Sequence, residues 1–199
     1  MDPAPSPPTN LVIDIAVPCA AWRERRPDVD AVCRAAVRAA MVRAEPELAA
    51  AAGGGAEFSL VLADDATSRE LNREWRGRDR PTNVISFPAQ DLAPGVTLAS
   101  VTPPGRVADA VPLPLGDIVL AYETVAAEAA AQGKDFADHL RHLVVHGTLH
   151  LLGHDHEIEA EAERMEALET AILAELGVPD PYADRDTAAA AALEETAHG

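Results

Sequence analysis

The segment from Phe136 to Leu152 carries apolar side chains on several sides at once: Phe136, Leu140, Leu143, Val144, Val145, Leu149, Leu151 and Leu152. A helix with one apolar stripe lies on a core, whereas a helix apolar on most sides lies inside one. The pattern predicts a buried helix that starts near Asp135 and ends at Gly153. Into that helix the sequence places His142, His146 and His150, one every four residues. At 100° per residue these project along nearly one line.

The remaining elements are shorter. Leu11, Ile13, Ile15 and Val17 alternate with other residues and predict a strand stopped by Pro18. Phe58, Leu60 and Leu62 mark a second strand, Asn83 to Phe87 a third, and Leu115 to Leu120 a fourth. Val29, Val32, Cys33, Ala36, Val37, Ala40 and Met41 form one face of a helix, with Asp28 as its expected cap. Thr67-Ser68-Arg69-Glu70 fits a capping box that opens a short helix through Leu71 and Trp75. Further helices are predicted from Thr124 to Gln132 and along Ile158, Ala162, Met165, Leu168, Ile172 and Leu176. The sum is a single α+β domain, a small mixed four-stranded sheet packed with about five helices. Residues 1–9 and 183–199 are expected to be disordered ends, and the Pro- and Gly-rich stretch from Ala89 to Pro114 a mobile connection.

With 199 residues the chain is long enough for one good core. It has no run of eighteen apolar residues and no signal-peptide pattern at Met1 to Asn10, which predicts a cytoplasmic protein without a membrane partner. Cys19 and Cys33 are read as reduced core residues. The net charge of −17 opposes a nucleic-acid partner, but its distribution weakens that argument. After His154 stand thirteen acids and two arginines, whereas Arg69 to Arg80 holds five arginines and three acids. A site can be locally basic on an acidic protein.

The i, i+4 spacing lets His146 and His150 share one metal ion, and a turn at Gly153 lets His156 approach from a third direction. Three neutral imidazoles with one open position suit catalytic zinc. His139 and His142 are expected on the helix surface or behind the ligands, and His154 is ambiguous because it could compete with His156 or add a fourth ligand. The same spacing occurs in metzincin proteases, which place a glutamate directly after the first histidine as the base. Here that residue is Gly147. Loss of a general base costs about 10²–10⁴ in rate, so a peptidase is disfavoured.

His146-Gly-Thr-Leu-His150-Leu-Leu-Gly153-His-Asp-His156 resembles the H-G-x-L-H-L-x-G-Y-D-H signature of the YbeY family. Leu71 to Pro88 resembles that family's L-N-x-x-Y-R-x-x-x-x-P-T-D-V-L-S-F-P, and Leu115 to Val119 its L-G-D-I-x. The resemblance covers roughly residues 10–178. It implies a metal-dependent endoribonuclease specific for single strands, acting in ribosomal RNA processing at the small-subunit 3′ end and in ribosome quality control. It implies one Zn²⁺ per chain on His146, His150 and His156, with Arg76 as the catalytic basic residue facing the metal cleft. Arg73, Arg78 and Arg80 would guide the substrate strand. The implied partners are single-stranded or ribosomal RNA and the ribosome or its proteins, with no DNA. Ser86 and Asp117 are expected to fix strand ends near the cleft, and Asp155 to orient an imidazole. The sequence departs from the family at His154, where tyrosine is common, at Asn83, where aspartate is common, and in the length of 89–114. Two other readings stay open: a metal hydrolase of another class, peptidase-like, and a ribosome-associated binding factor with a structural metal.

Overall fold

The computed structural model describes residues 11–45, 55–94, 112–155 and 158–183. Both predicted disordered ends lie outside these residues, apart from Ala183, as do most of the 89–114 connection and His156. The elements run β1 (Leu11–Ala16), α1 (Ala21–Arg25), α2 (Val29–Ala44), β2 (Ala56–Ala63), α3 (Asp65–Arg76), β3 (Val84–Pro88), β4 (Leu113–Ala121), α4 (Tyr122–Ala131), α5 (Phe136–Leu151) and α6 (Glu159–Glu175). The four strands form one sheet in the order β1-β2-β4-β3. β1, β2 and β4 are parallel, and β3 runs antiparallel to β4 along the edge. The fold is therefore the mixed four-stranded α+β domain that the sequence predicts.

α5 is the centre of the molecule. It packs against α2, α6 and the sheet, with Leu140, Val144, Val145, Leu149 and Leu151 all fully buried. The seven apolar positions read from the α2 sequence are its seven buried residues. Across from them the sheet supplies Phe58, Leu60, Leu115, Ile118 and Leu120, also fully buried. Each such side chain contributes about 1.5–3 kcal/mol by leaving water. Cys33 belongs to this core as a free thiol, and burial pushes its pKa up to about 12, so it stays protonated.

The structure departs from the sequence reading in its caps. α3 begins at Asp65, and Asp64 accepts the Thr67 amide at 2.9 Å, so the expected capping box at Thr67 is replaced by an aspartate cap three residues earlier. Asp28 precedes α2 without capping it, because its carboxylate turns to Arg26 at 2.8 Å. The short α1 is an addition. It forms because Trp22 is fully buried and donates its indole N–H to the Ala63 carbonyl at 2.9 Å, which fixes a single turn of chain over the end of β2.

Candidate metal centre and cleft

One cleft, about 470 Å³, opens where α5 meets the edge strand β3. α5 contributes His146 and His150, β3 contributes Val84, Ser86 and Pro88, and Arg76 reaches in from the end of α3. Gly153, His154 and Asp155, from the turn after α5, close the far wall. Gly153 has φ +82°, and a Cβ there would lie 2.2 Å from the Leu92 carbonyl oxygen. Only glycine lets the turn lie this close to the chain leaving β3.

His146 and His150 face each other as their spacing predicts, with their Nε2 atoms 3.1 Å apart. Two nitrogens, each about 2.0–2.1 Å from one tetrahedral zinc, would stand about 3.3 Å apart, so the pair fits such an ion. His156, the third expected ligand, lies outside the described residues. Among the described residues no group of three His, Cys, Asp or Glu side chains is arranged to hold a metal ion. His154 lines the same cleft, and its Nε2 is buried without a hydrogen-bond partner among the described residues. Burial lowers its pKa and favours the neutral ring.

Behind the histidines sits a group that the sequence reading missed. Glu169, on α6, is fully buried, and its Oε1 lies 2.8 Å from His146 Nδ1. Its Oε2 lies 3.0 Å from His142 Nε2 and accepts a hydrogen bond from the Tyr182 hydroxyl. Burial alone would raise the Glu169 pKa. The hydrogen bonds from His142 and His146, the charge of His146 and the Tyr182 bond together bring it down to about 2. A carboxylate on Nδ1 fixes the tautomer of His146 with its proton on that side, leaving the Nε2 lone pair facing the cleft. This is the kind of orienting role that the sequence reading expects of Asp155, whose neighbour His156 lies outside the described residues. The signal was present: Glu169 lies four residues after Met165 and three before Ile172, an acid on the apolar face of α6.

His142 thus sits behind the cleft, bound to Glu169, and His139, 4 % exposed, lies 3.0 Å from Glu128. Ser86 ties β3 to α5 by donating to the Gly147 carbonyl at 3.2 Å, as expected of a fixing residue. Arg73, Arg78 and Arg80 are exposed around the end of α3, and none of them lines the cleft. Gly147 stands where the metzincin proteases carry their acid. A Cβ there would meet the side chains of Ile118 at 3.0 Å and Ser86 at 3.1 Å, so a larger residue needs those side chains to give by a few tenths of an ångström.

A profile of the YbeY family, described as endoribonuclease YbeY, matches residues 23–177. The chain belongs to the YbeY family. Among its relatives, endoribonuclease YbeY of Paramagnetospirillum magneticum is 49% identical over 179 residues, covering 88% of this chain and 99% of that protein. That of a Bradyrhizobium species is 50% identical over 94% of this chain and 98% of its own. That of Azorhizobium caulinodans is 50% identical over 87% and 97%. Membership of the YbeY family supports a nuclease, a hydrolase of RNA phosphodiester bonds, and the cleft is where β3 and α5, both within the matched region, come together. No helix among the described residues is long and apolar enough to cross a membrane.

Proposed function

We propose that the chain is a zinc-dependent endoribonuclease that cleaves single-stranded RNA in the cytoplasm, in ribosomal RNA processing at the small-subunit 3′ end and in ribosome quality control. The observation that carries this reading is the pair of imidazole nitrogens 3.1 Å apart, backed by a buried carboxylate and facing Arg76 across one cleft. His146, His150 and His156 hold the metal, one ion per chain, and His154 is placed to compete or assist. Lewis acidity toward a phosphate oxygen is the chemistry that a divalent ion supplies when bound there.

The protein's own groups do the rest. Glu169 keeps the Nδ1 proton of His146 in place, so that Nε2 stays a donor of electrons into the cleft. Arg76 offers a planar fork of N–H donors, matched to two phosphate oxygens, and opposes the negative charge that builds as the phosphodiester is attacked. Arg73, Arg78 and Arg80 steer the strand toward the cleft from outside. Gly147 supplies no carboxylate to serve as a protease base, which speaks against the peptidase-like reading.

The test compares metal-stripped protein with protein reloaded with zinc, on single-stranded ribosomal RNA and on the matching duplex. Cleavage should require the reloaded protein and favour the single strand, and equal cleavage by stripped protein removes the metal from the mechanism. Replacing the carboxylate, Glu169→Gln, should weaken zinc binding by about 10–100-fold in a chelator competition, because the His146 tautomer is no longer imposed. Unchanged zinc affinity in a folded Glu169→Gln protein would mean that the carboxylate serves packing alone.

A further inference from the structure

The chain has two tryptophans in opposite surroundings. Trp22 is fully buried and hydrogen-bonded, whereas Trp75 is 66 % exposed. Trp75 is held in place by Phe87, edge to face, with ring centroids 5.7 Å apart and planes at 67°. That contact fixes the indole and leaves most of it in water. Its neighbours tie it to the cleft on two separate elements. The next residue, Arg76, lines the cleft, and Phe87 stands between Ser86 and Pro88, which line it as well. Side chains alternate along a strand, so Phe87 points away from the cleft and Trp75 sits just across the edge strand β3.

The surroundings are cationic on balance, five arginines from Arg69 to Arg80 against Glu70, Glu74 and Asp79, the last of which pairs with Arg69. Arg73, Arg76, Arg78 and Arg80 are exposed, and among the described residues none of them is in an ion pair. The loop that carries Arg78 and Arg80 is pinned, with Asn72 Nδ2 donating to the Arg80 carbonyl at 2.7 Å and Ser68 Oγ donating to the Thr82 carbonyl at 2.7 Å. A fixed aromatic face among positioned arginines is the recipe for gripping a single nucleic-acid strand, because every base has a π-face and every link a negative charge. The centres of protein interfaces, by contrast, are depleted of charge.

We infer that Trp75 is a stacking platform for a nucleobase flanking the phosphate held in the cleft, a subsite for single-stranded RNA across edge strand β3. The inference rests on the nuclease reading above. It also gives single-strand preference a physical cause, since a base in a duplex has both faces covered and cannot reach the indole.

The full-length protein is mixed with a single-stranded RNA oligonucleotide, its duplex, and the same strand carrying abasic positions, and tryptophan emission is read before turnover. Trp22 is shielded, so a change in emission reports Trp75. The single strand should quench emission, and the duplex and abasic strands should not. Trp75→Ala should raise KM for the single strand by about 5–100-fold with little change in kcat, while Trp75→Phe stays near wild type. Unmoved emission, or wild-type KM in Trp75→Ala, overturns the subsite while leaving the nuclease reading intact. Quenching without any RNA cleavage by the wild type sinks the nuclease reading and supports the base platform. Unchanged KM with lost binding to ribosomal particles marks a protein-docking face, and also overturns the subsite.

Discussion

His150→Ala should leave a folded protein that neither retains zinc nor cleaves RNA. The ring is only half-buried in the wall of the cleft, so its loss creates no deep cavity in the core around Leu149 and Leu151. What goes is one of the two nitrogens placed 3.1 Å apart, and with it the geometry for holding a single ion. Lewis-acid stabilisation of a phosphoryl transition state is worth several kcal/mol, so cleavage should fall on the order of 10³-fold or more. Zinc per chain, measured on dialysed protein, should drop from about one toward zero. A His150→Ala protein that keeps both its zinc and its activity would move the metal elsewhere, and the case built on α5 would collapse with it.

Arg76→Ala separates charge stabilisation from metal binding. The residue is exposed at the end of α3, so the substitution should change stability by less than about 0.5 kcal/mol. Zinc content should remain at the wild-type level, because the histidines and Glu169 are untouched. Removing one preorganised donor from a developing oxyanion typically costs about 10²–10³ in kcat. Arg76→Lys should recover only part of it, since an ammonium keeps the charge and loses the fork. Cleavage within about threefold of wild type in Arg76→Ala would reduce Arg76 to one more steering charge.

The parts of the fold that the sequence revealed are those where periodicity and burial coincide. The buried face of α2 and the hidden sides of α5 can be read directly, because an apolar residue at the wrong angle would sit in water. α1 left no such trace, since one turn has no period and its burial depends on Trp22 alone. The Thr67 signal failed for a related reason. Asp64 stands just upstream and makes a cap bond worth about 1 kcal/mol, so the helix starts there first.

In the site, the pair on α5 was legible because two ligands on one helix are fixed by spacing alone. Glu169 was not, because its partners are 23 and 27 residues away and meet it only once α6 has folded back onto α5. Its place on the apolar face of α6 sets it apart from the region's other acids, but nothing local names its partners. His156 remains an expectation of the sequence, outside the described residues.

The reach of Glu169 has a consequence for the life of the molecule. A chain synthesised only through α5 already carries His146 and His150, yet it lacks the carboxylate of α6, and Tyr182, which grips that carboxylate, comes later still. Through α5 alone, His146 has no carboxylate to impose its tautomer, and His156, the third expected ligand, is not yet made. The cleft is thus framed by one stretch of chain and oriented by a later one, so its first two histidines precede the carboxylate that aligns one of them.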